Sequence, residues 1–88
     1  MRQAIEKFLK DTPLQRKLNE RRLIEGWDQV MGSPVARATE KLYIRDRILY
    51  VHLSSSVLRN ELFMLRSEIV NKLNSHAGEE VITDVAFK

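Results

Sequence analysis

The hydrophobic period of this 88-residue chain changes three times, and that pattern constrains the fold more than any single motif. From Pro13 to about Met31, Leu14, Leu18, Leu23, Ile24, Trp27, Val30 and Met31 fall at helical spacing, opposite Arg16, Lys17, Glu20, Arg21, Arg22 and Glu25. Over Lys41–Arg45 and Ile48–Leu53 the period drops to two, in segments rich in β-branched and aromatic residues. From about Ser56 to His76 the helical period returns. Leu58, Leu62, Leu65, Ile69 and Leu73 repeat at intervals of 4, 3, 4 and 4, and Phe63, Met64 and Val70 widen the stripe. Such a chain must bury helical stripes against one face of a sheet, which predicts an α+β domain.

The punctuation between these segments sets the expected order. Ile5, Phe8 and Leu9 give Ala4–Lys10 the spacing of a short amphipathic helix, interrupted by Asp11-Thr12-Pro13. Thr12 suits an N-cap and Pro13 the first helical position, where its missing N–H costs nothing. Gly32 stops the long helix. Ser33 and Pro34 restart a short turn, as cap and first position, leading through Val35-Ala36 to Thr39. Asp46 lies in the short link of a β-hairpin. Ser54-Ser55-Ser56 is a cluster of capping residues and Gly78 a C-terminal stop. Val81–Phe87 reads as a third strand, Val81, Thr83, Val85 and Phe87 alternating with Ile82, Asp84 and Ala86.

The order is therefore α-α-β-β-α-β. The link from the second strand to the third contains a helix and brings the chain back, so the outer two β segments are expected to run parallel, with a right-handed crossover if they lie side by side. A single domain over residues 1–88 follows: a two-layer α+β sandwich, its three-stranded mixed sheet covered by helices on one face. Leu42, Ile44, Leu49, Val51 and Leu53 form the aliphatic core side of the hairpin. Lys41, Tyr43, Arg45, Ile48, Tyr50 and His52 form the other.

Composition narrows the function. With no cysteine there is no disulfide, thiolate metal site or cysteine nucleophile. Nothing near the N-terminus has signal-peptide character, and no apolar stretch approaches the roughly 20 residues needed to span a bilayer. A soluble, cytoplasmic protein that needs no membrane is expected. The net charge of +3 is unevenly spread. Residues 1–38 carry eight Lys/Arg against five Asp/Glu, 39–66 five against three, and 67–88 two against four. This mild basic bias at the front favours phosphate-bearing partners.

Several segments resemble one known family. Trp27-Asp28-Gln29-Val30-Met31-Gly32 resembles its Trp-x-x-Val-hydrophobic-Gly signature. Val35-Ala36-Arg37-Ala38-Thr39 is similar to its next element, a hydrophobic-Ala pair followed by Ser or Thr. Leu49–Ser56 resembles its Leu-x-Val strand ending in small polar residues, Glu61–Leu65 its helix core, and Gly78 with Val81–Phe87 its closing strand. The family is the DciA-like family of small bacterial proteins, long catalogued as a domain of unknown function, and the resemblance runs over nearly the whole chain from Leu18. It implies a KH-like fold, association with the replicative helicase as a loader or recruiter in DNA replication, and DNA binding. Two departures stand out. Many members carry a disordered tail implicated in partner contacts, and this sequence stops at Lys88. A KH domain that clamps nucleic acid uses a Gly-x-x-Gly loop, and the only glycines here are Gly26, Gly32 and Gly78.

Two surfaces are candidates for nucleic-acid binding. Arg16, Lys17, Arg21 and Arg22 lie within two helical turns, so several can meet successive phosphates; a solvated face diluted by Glu20 and Glu25 is the plainer reading. Lys41, Tyr43, Arg45, Tyr50 and His52 project from the outer sheet face, where aromatics among cations can stack bases and bind phosphates. The same set would also serve a protein-binding or dimer surface, or lie under the first helix. Trp27 is more simply a core aromatic than an interface anchor. His52 and His76 are too isolated to suggest a metal, and capping explains the serines better than nucleophilic catalysis does. No cofactor, small-molecule substrate or enzymatic activity is expected. The leading expectation is a non-catalytic binding module acting with DNA and the replicative helicase. The alternatives are a protein–protein adaptor or homodimer without a nucleic-acid role, and an RNA-binding KH-like domain.

Overall fold

The computed structural model of the chain describes residues 12–88. The short helix expected over Ala4–Lys10 lies outside them. Five helices and three strands follow in order: α1 (Pro13–Glu25), α2 (Trp27–Met31), α3 (Ser33–Ala38), β1 (Thr39–Arg45), β2 (Ile48–Leu53), α4 (Ser56–Met64), α5 (Arg66–Ala77) and β3 (Asp84–Phe87). The sheet order is β1-β2-β3, with β1 antiparallel and β3 parallel to β2, so the outer strands β1 and β3 run in opposite directions rather than parallel, because the helical link joins β3 to the central strand. This is the mixed three-stranded α+β sandwich that the periodicity predicts. Its element order is also the one the family resemblance implies.

The core lies between the helices and one face of the sheet. Leu23, Trp27, Leu62, Ile69 and Leu73 from the helices pack with Leu49, Val51 and Val85 from the strands. Thr12 caps α1, its hydroxyl accepting from the Gln15 N–H at 3.2 Å, with Pro13 in the first turn. Gly78 ends α5 in the left-handed region at φ 82°, where a Cβ is disfavoured. The hairpin turns through Asp46 and Arg47, both left-handed at φ 53° and 65°. That geometry matches the twist of the strands, although neither residue is the usual glycine or asparagine. Arg47 is held there by the β3 side: its guanidinium donates to the Glu80 carbonyl at 3.0 Å, and its own carbonyl accepts from the Thr83 N–H at 2.8 Å.

Both long helices differ from expectation. The helix expected over Pro13–Met31 is interrupted at Gly26, which is buried with its backbone still in the right-handed region. There the His76 ring lies so close that a Cβ on Gly26 would collide with its Cδ2. Leu14 and Leu18, placed by their spacing on the apolar face, are exposed, because the buried side of α1 is formed by Asn19 and Leu23. The helix expected over Ser56–His76 breaks at Leu65, whose N–H turns back to the Leu62 carbonyl three residues earlier. The tightened turn shifts the helical phase. Leu65 is consequently exposed rather than part of the buried stripe, and Phe63 and Met64, which helical spacing sets well to either side of Leu58 and Leu62, are exposed too.

Smaller boundaries move too. Ser33 is the first residue of α3, not its cap, and Ser55 is the residue that caps α4, accepting from the Leu58 N–H at 3.3 Å. The third strand is only Asp84–Phe87. Val81 and Ile82 are both buried, so the expected alternation fails there. The Asn74 amide accounts for this: its Oδ1 accepts from the N–H groups of Val81 and Ile82 at 2.9 and 3.1 Å, and its Nδ2 donates to the Ile82 carbonyl at 2.9 Å. A side chain has taken the hydrogen bonds that a neighbouring strand would otherwise supply.

β1 begins two residues earlier than expected, and its register slips between Thr39 and Lys41. The bulge inserts Glu40 and returns Thr39 to the core side, opposite Leu53. There the Thr39 hydroxyl accepts from Trp27 Nε1 at 3.0 Å and donates to the Val35 carbonyl at 2.8 Å. Trp27, 1% exposed, is thus a core residue whose one polar atom is satisfied.

Candidate nucleic-acid interface

Period-two alternation places the outer-face residues together as expected. The antiparallel register sets Tyr43 opposite Tyr50, Lys41 opposite His52 and Arg45 opposite Ile48. Directly opposed side chains stand close enough to interact, and the two tyrosine rings are stacked with centroids 5.0 Å apart and planes 14° apart. The His52 ring lies 5.9 Å from Tyr43. Lys41 Nζ is 5.3 Å from the Tyr43 centroid, and Lys88 Nζ is 5.8 Å from that of Tyr50. The rings are half-buried, while Lys41, Arg45 and Lys88 are exposed.

The result is a ladder across the sheet: lysine, tyrosine, tyrosine, lysine. Each exposed cation–π contact is worth about 0.5–1 kcal/mol, so the lysines rest on the rings without being locked there. No carboxylate among the described residues pairs with Lys41, Arg45 or Lys88. His52 is the exception to the solvated pattern: its Nε2 is buried without a hydrogen-bond partner.

Lys88 and Ala86 are members of this face that the sequence reading did not include. The signal was present. Carrying the alternation of Val85 and Phe87 one residue further puts Ala86 and Lys88 on the side opposite the core.

The helical candidates do not form one surface. At about 100° per residue, Lys17 and Arg21 share a side of α1, while Arg16 and Arg22 point well to either flank. Leu14 and Leu18 are both exposed, Leu14 beside Lys17 and Arg21 and Leu18 between Leu14 and Arg22. Arg21 is also engaged by Glu25 at 3.2 Å, an exposed i,i+4 pair; such pairs contribute about 0.3–0.5 kcal/mol. Arg16, Lys17 and Arg22 are exposed and without an ion pair among the described residues. No hydrogen bond, ion pair or ring contact among the described residues joins these cations to the sheet face.

The serines have structural partners. Ser55 caps α4, and Ser54 Oγ donates to the Ala38 carbonyl at 3.3 Å. Among the described residues no group of three or more His, Asp or Glu is placed to hold a metal ion, and no helix is long and apolar enough to cross a membrane. An open depression beside α5 is lined by Asn71, Asn74, Glu79, Glu80 and Thr83. Its two glutamates give it the wrong sign for a phosphate backbone.

A second surface belongs to the helical layer. Phe63, Met64 and Leu65 are 54%, 79% and 47% exposed in succession at the break between α4 and α5. The Arg66 guanidinium lies 4.4 Å from the Phe63 ring centroid. Single exposed apolar residues need no explanation, but a contiguous run of three large ones is the kind of feature that marks a contact surface.

Comparison with known proteins adds two findings. A family model described as "Dna[CI] antecedent, DciA" matches residues 1–87. A UPF0232 protein of Rhodococcus jostii (strain RHA1) is 32% identical over 66 residues, which are 75% of this chain and 35% of the relative. The matched segment thus spans about a third of that relative's length.

Proposed function

The chain belongs to the DciA family, and from that premise we propose that it is a non-catalytic binding module that recruits or helps load a replicative helicase while holding DNA weakly through a basic surface. Association with the replicative helicase is what the family resemblance implies for its members. The DNA-binding half of the reading rests on one observation above all: the outer sheet face carries the exposed Lys41, Arg45 and Lys88 around the stacked Tyr43 and Tyr50, with no carboxylate among the described residues pairing those cations. Cations without a carboxylate partner among the described residues can neutralise phosphates at little cost, and stacked tyrosines make the surface beneath them rigid. The exposed Phe63-Met64-Leu65 run supports a separate protein contact, since it lies in the helical layer and leaves the sheet face free.

Binding of a labelled single-stranded oligonucleotide, measured by fluorescence anisotropy over a salt series, tests the DNA half. Affinity should fall steeply with salt. The Lys41→Gln, Lys88→Gln variant should flatten the log–log slope by about 1.4, two phosphate contacts at about 0.7 each on a single strand. An absence of binding at low salt rules this half out. The adaptor or homodimer alternative draws on the same tyrosines. If a Tyr43→Ala, Tyr50→Ala double variant loses a dimer seen by light scattering while its DNA affinity is unchanged, that alternative is the better account.

A further inference from the structure

The tyrosine ladder stops one rung short. Tyr43 and Tyr50 are 5.0 Å apart, about the 4.8 Å spacing of neighbouring strands. One strand further in the same direction, the residue paired with Tyr50 across the parallel β2–β3 ladder is Ala86. A methyl group therefore stands where a third ring would continue the stack. One face of Tyr50 is taken by Tyr43. The other looks over Ala86, and among the described residues the ring contact recorded on that side is the Lys88 ammonium, 5.8 Å from the centroid.

The surroundings select among planar ligands. The carboxylate nearest this gap on the outer face of β3 is Asp84, two residues before Ala86. Its Oδ1 is already engaged by Arg66 Nε at 3.4 Å and by the Val85 N–H at 2.8 Å. Lys88 at the rim disfavours a cationic ring and favours one attached to an anionic group. The far side of Tyr43 offers no equivalent, because β1 is the last strand of the sheet and leaves no floor beyond it.

We propose that the gap above Ala86 accepts one unpaired nucleobase of a single-stranded nucleic acid, stacked on the free face of Tyr50 as the third rung, with Lys88 turning to the adjoining phosphate. This rests on the DNA-binding reading above and sharpens it from a basic surface to a base-sized slot. Stacked rings sit about 4.5–7 Å apart between centroids, and one strand spacing from Tyr50 falls within that range. A base within a duplex cannot enter, since both its faces are already covered by neighbouring pairs. The slot therefore discriminates single strands from duplexes without any base-specific hydrogen bond.

The test compares a short oligothymidylate with an abasic oligomer of the same length and charge, by fluorescence anisotropy at low salt. The wild-type protein should bind the oligothymidylate about tenfold more tightly, the scale of one stacked base. Ala86→Leu, which fills the gap, should reduce oligothymidylate binding to the abasic level and leave abasic binding unchanged. Equal wild-type affinity for the two oligomers overturns the slot while the DNA-binding reading stands. So does a base-dependent affinity that a folded Ala86→Leu variant retains. Failure of both oligomers to bind removes the underlying reading and the slot with it. The wild-type comparison decides the matter even if the variant does not fold.

Discussion

Replacing Asn74 by alanine should be the most destabilising polar substitution in this domain. Its amide makes three hydrogen bonds to the segment entering β3: from the Val81 and Ile82 N–H groups at 2.9 and 3.1 Å, and to the Ile82 carbonyl at 2.9 Å. Val81 is 8% and Ile82 0% exposed, so water has poor access to the groups left behind. Each bond lost contributes about 0.5–1.5 kcal/mol net, about 1 kcal/mol at the centre of that range. The sum is about 3 kcal/mol, a large fraction of the 5–15 kcal/mol by which small proteins are stable. For a domain of this size the melting temperature should fall by about 12–24 °C, at about 4–8 °C per kcal/mol. Urea unfolding followed by far-UV circular dichroism measures the change, with the slope against denaturant expected to stay constant. Asn74→Asp keeps the two accepted bonds and loses the donated one, so it should fall between wild type and Asn74→Ala. Asn71→Ala, an exposed neighbour on the same helix, should change stability by less than about 0.5 kcal/mol, as surface substitutions usually do. If Asn74→Ala were no more costly than Asn71→Ala, the claim that this side chain replaces a strand partner would be wrong.

Two further substitutions probe the other internal supports. Thr39→Val removes the acceptor of the buried Trp27 indole N–H and should cost about 1–3 kcal/mol, whereas Thr39→Ser should recover most of it; thermal melting followed by tryptophan fluorescence distinguishes them, and equal melting of the two variants would refute the assignment. Gly26→Ala sets a helix-favouring residue against the His76 ring, which is exposed and movable. The gain of about 0.4–1 kcal/mol from a stiffer unfolded chain should be nearly cancelled by about 0.5–1.5 kcal/mol for displacing the ring off its rotamer. In a His76→Ala background the same change should be plainly stabilising, and a double-mutant cycle that shows no coupling would refute the contact as the reason for glycine.

How much was legible in the sequence follows from which interactions are local. The hairpin and its two faces were readable because a period of two assigns every side chain to one side or the other. The Tyr43/Tyr50 face came out of the same argument, and Lys88 would have done so had the alternation been carried past Phe87. Gly26 carried a signal, an isolated glycine inside a helical pattern, but its cause is a ring fifty residues away. The break at Leu65 has neither proline nor glycine to mark it. The shortened third strand depends on one asparagine in α5, which no pattern within residues 81–87 reveals. The four cations of α1 were close in sequence but not in direction, and only the helix phase separates them.

These non-local choices bear on function more than the legible ones do. The break at Leu65 takes Leu65 out of a stripe that could have been buried and leaves it exposed beside Phe63 and Met64. Exposing three large apolar side chains forgoes about 1.5–3 kcal/mol each relative to full burial. A domain this small buries only roughly 60% of its unfolded surface and has little stability to spare. Folding alone therefore gives no reason to keep Phe, Met and Leu at those positions. Ala86 is the same argument in reverse. A larger side chain would extend the Tyr43–Tyr50 stack and stabilise the edge of the sheet, since cross-strand aromatic pairs contribute about 0.2–1 kcal/mol over alanine, yet the position holds a methyl group. Both features leave stability unused at a surface. They do so in different layers, so a protein partner on the α4–α5 break and a nucleic acid on the sheet can be held without competing for the same residues.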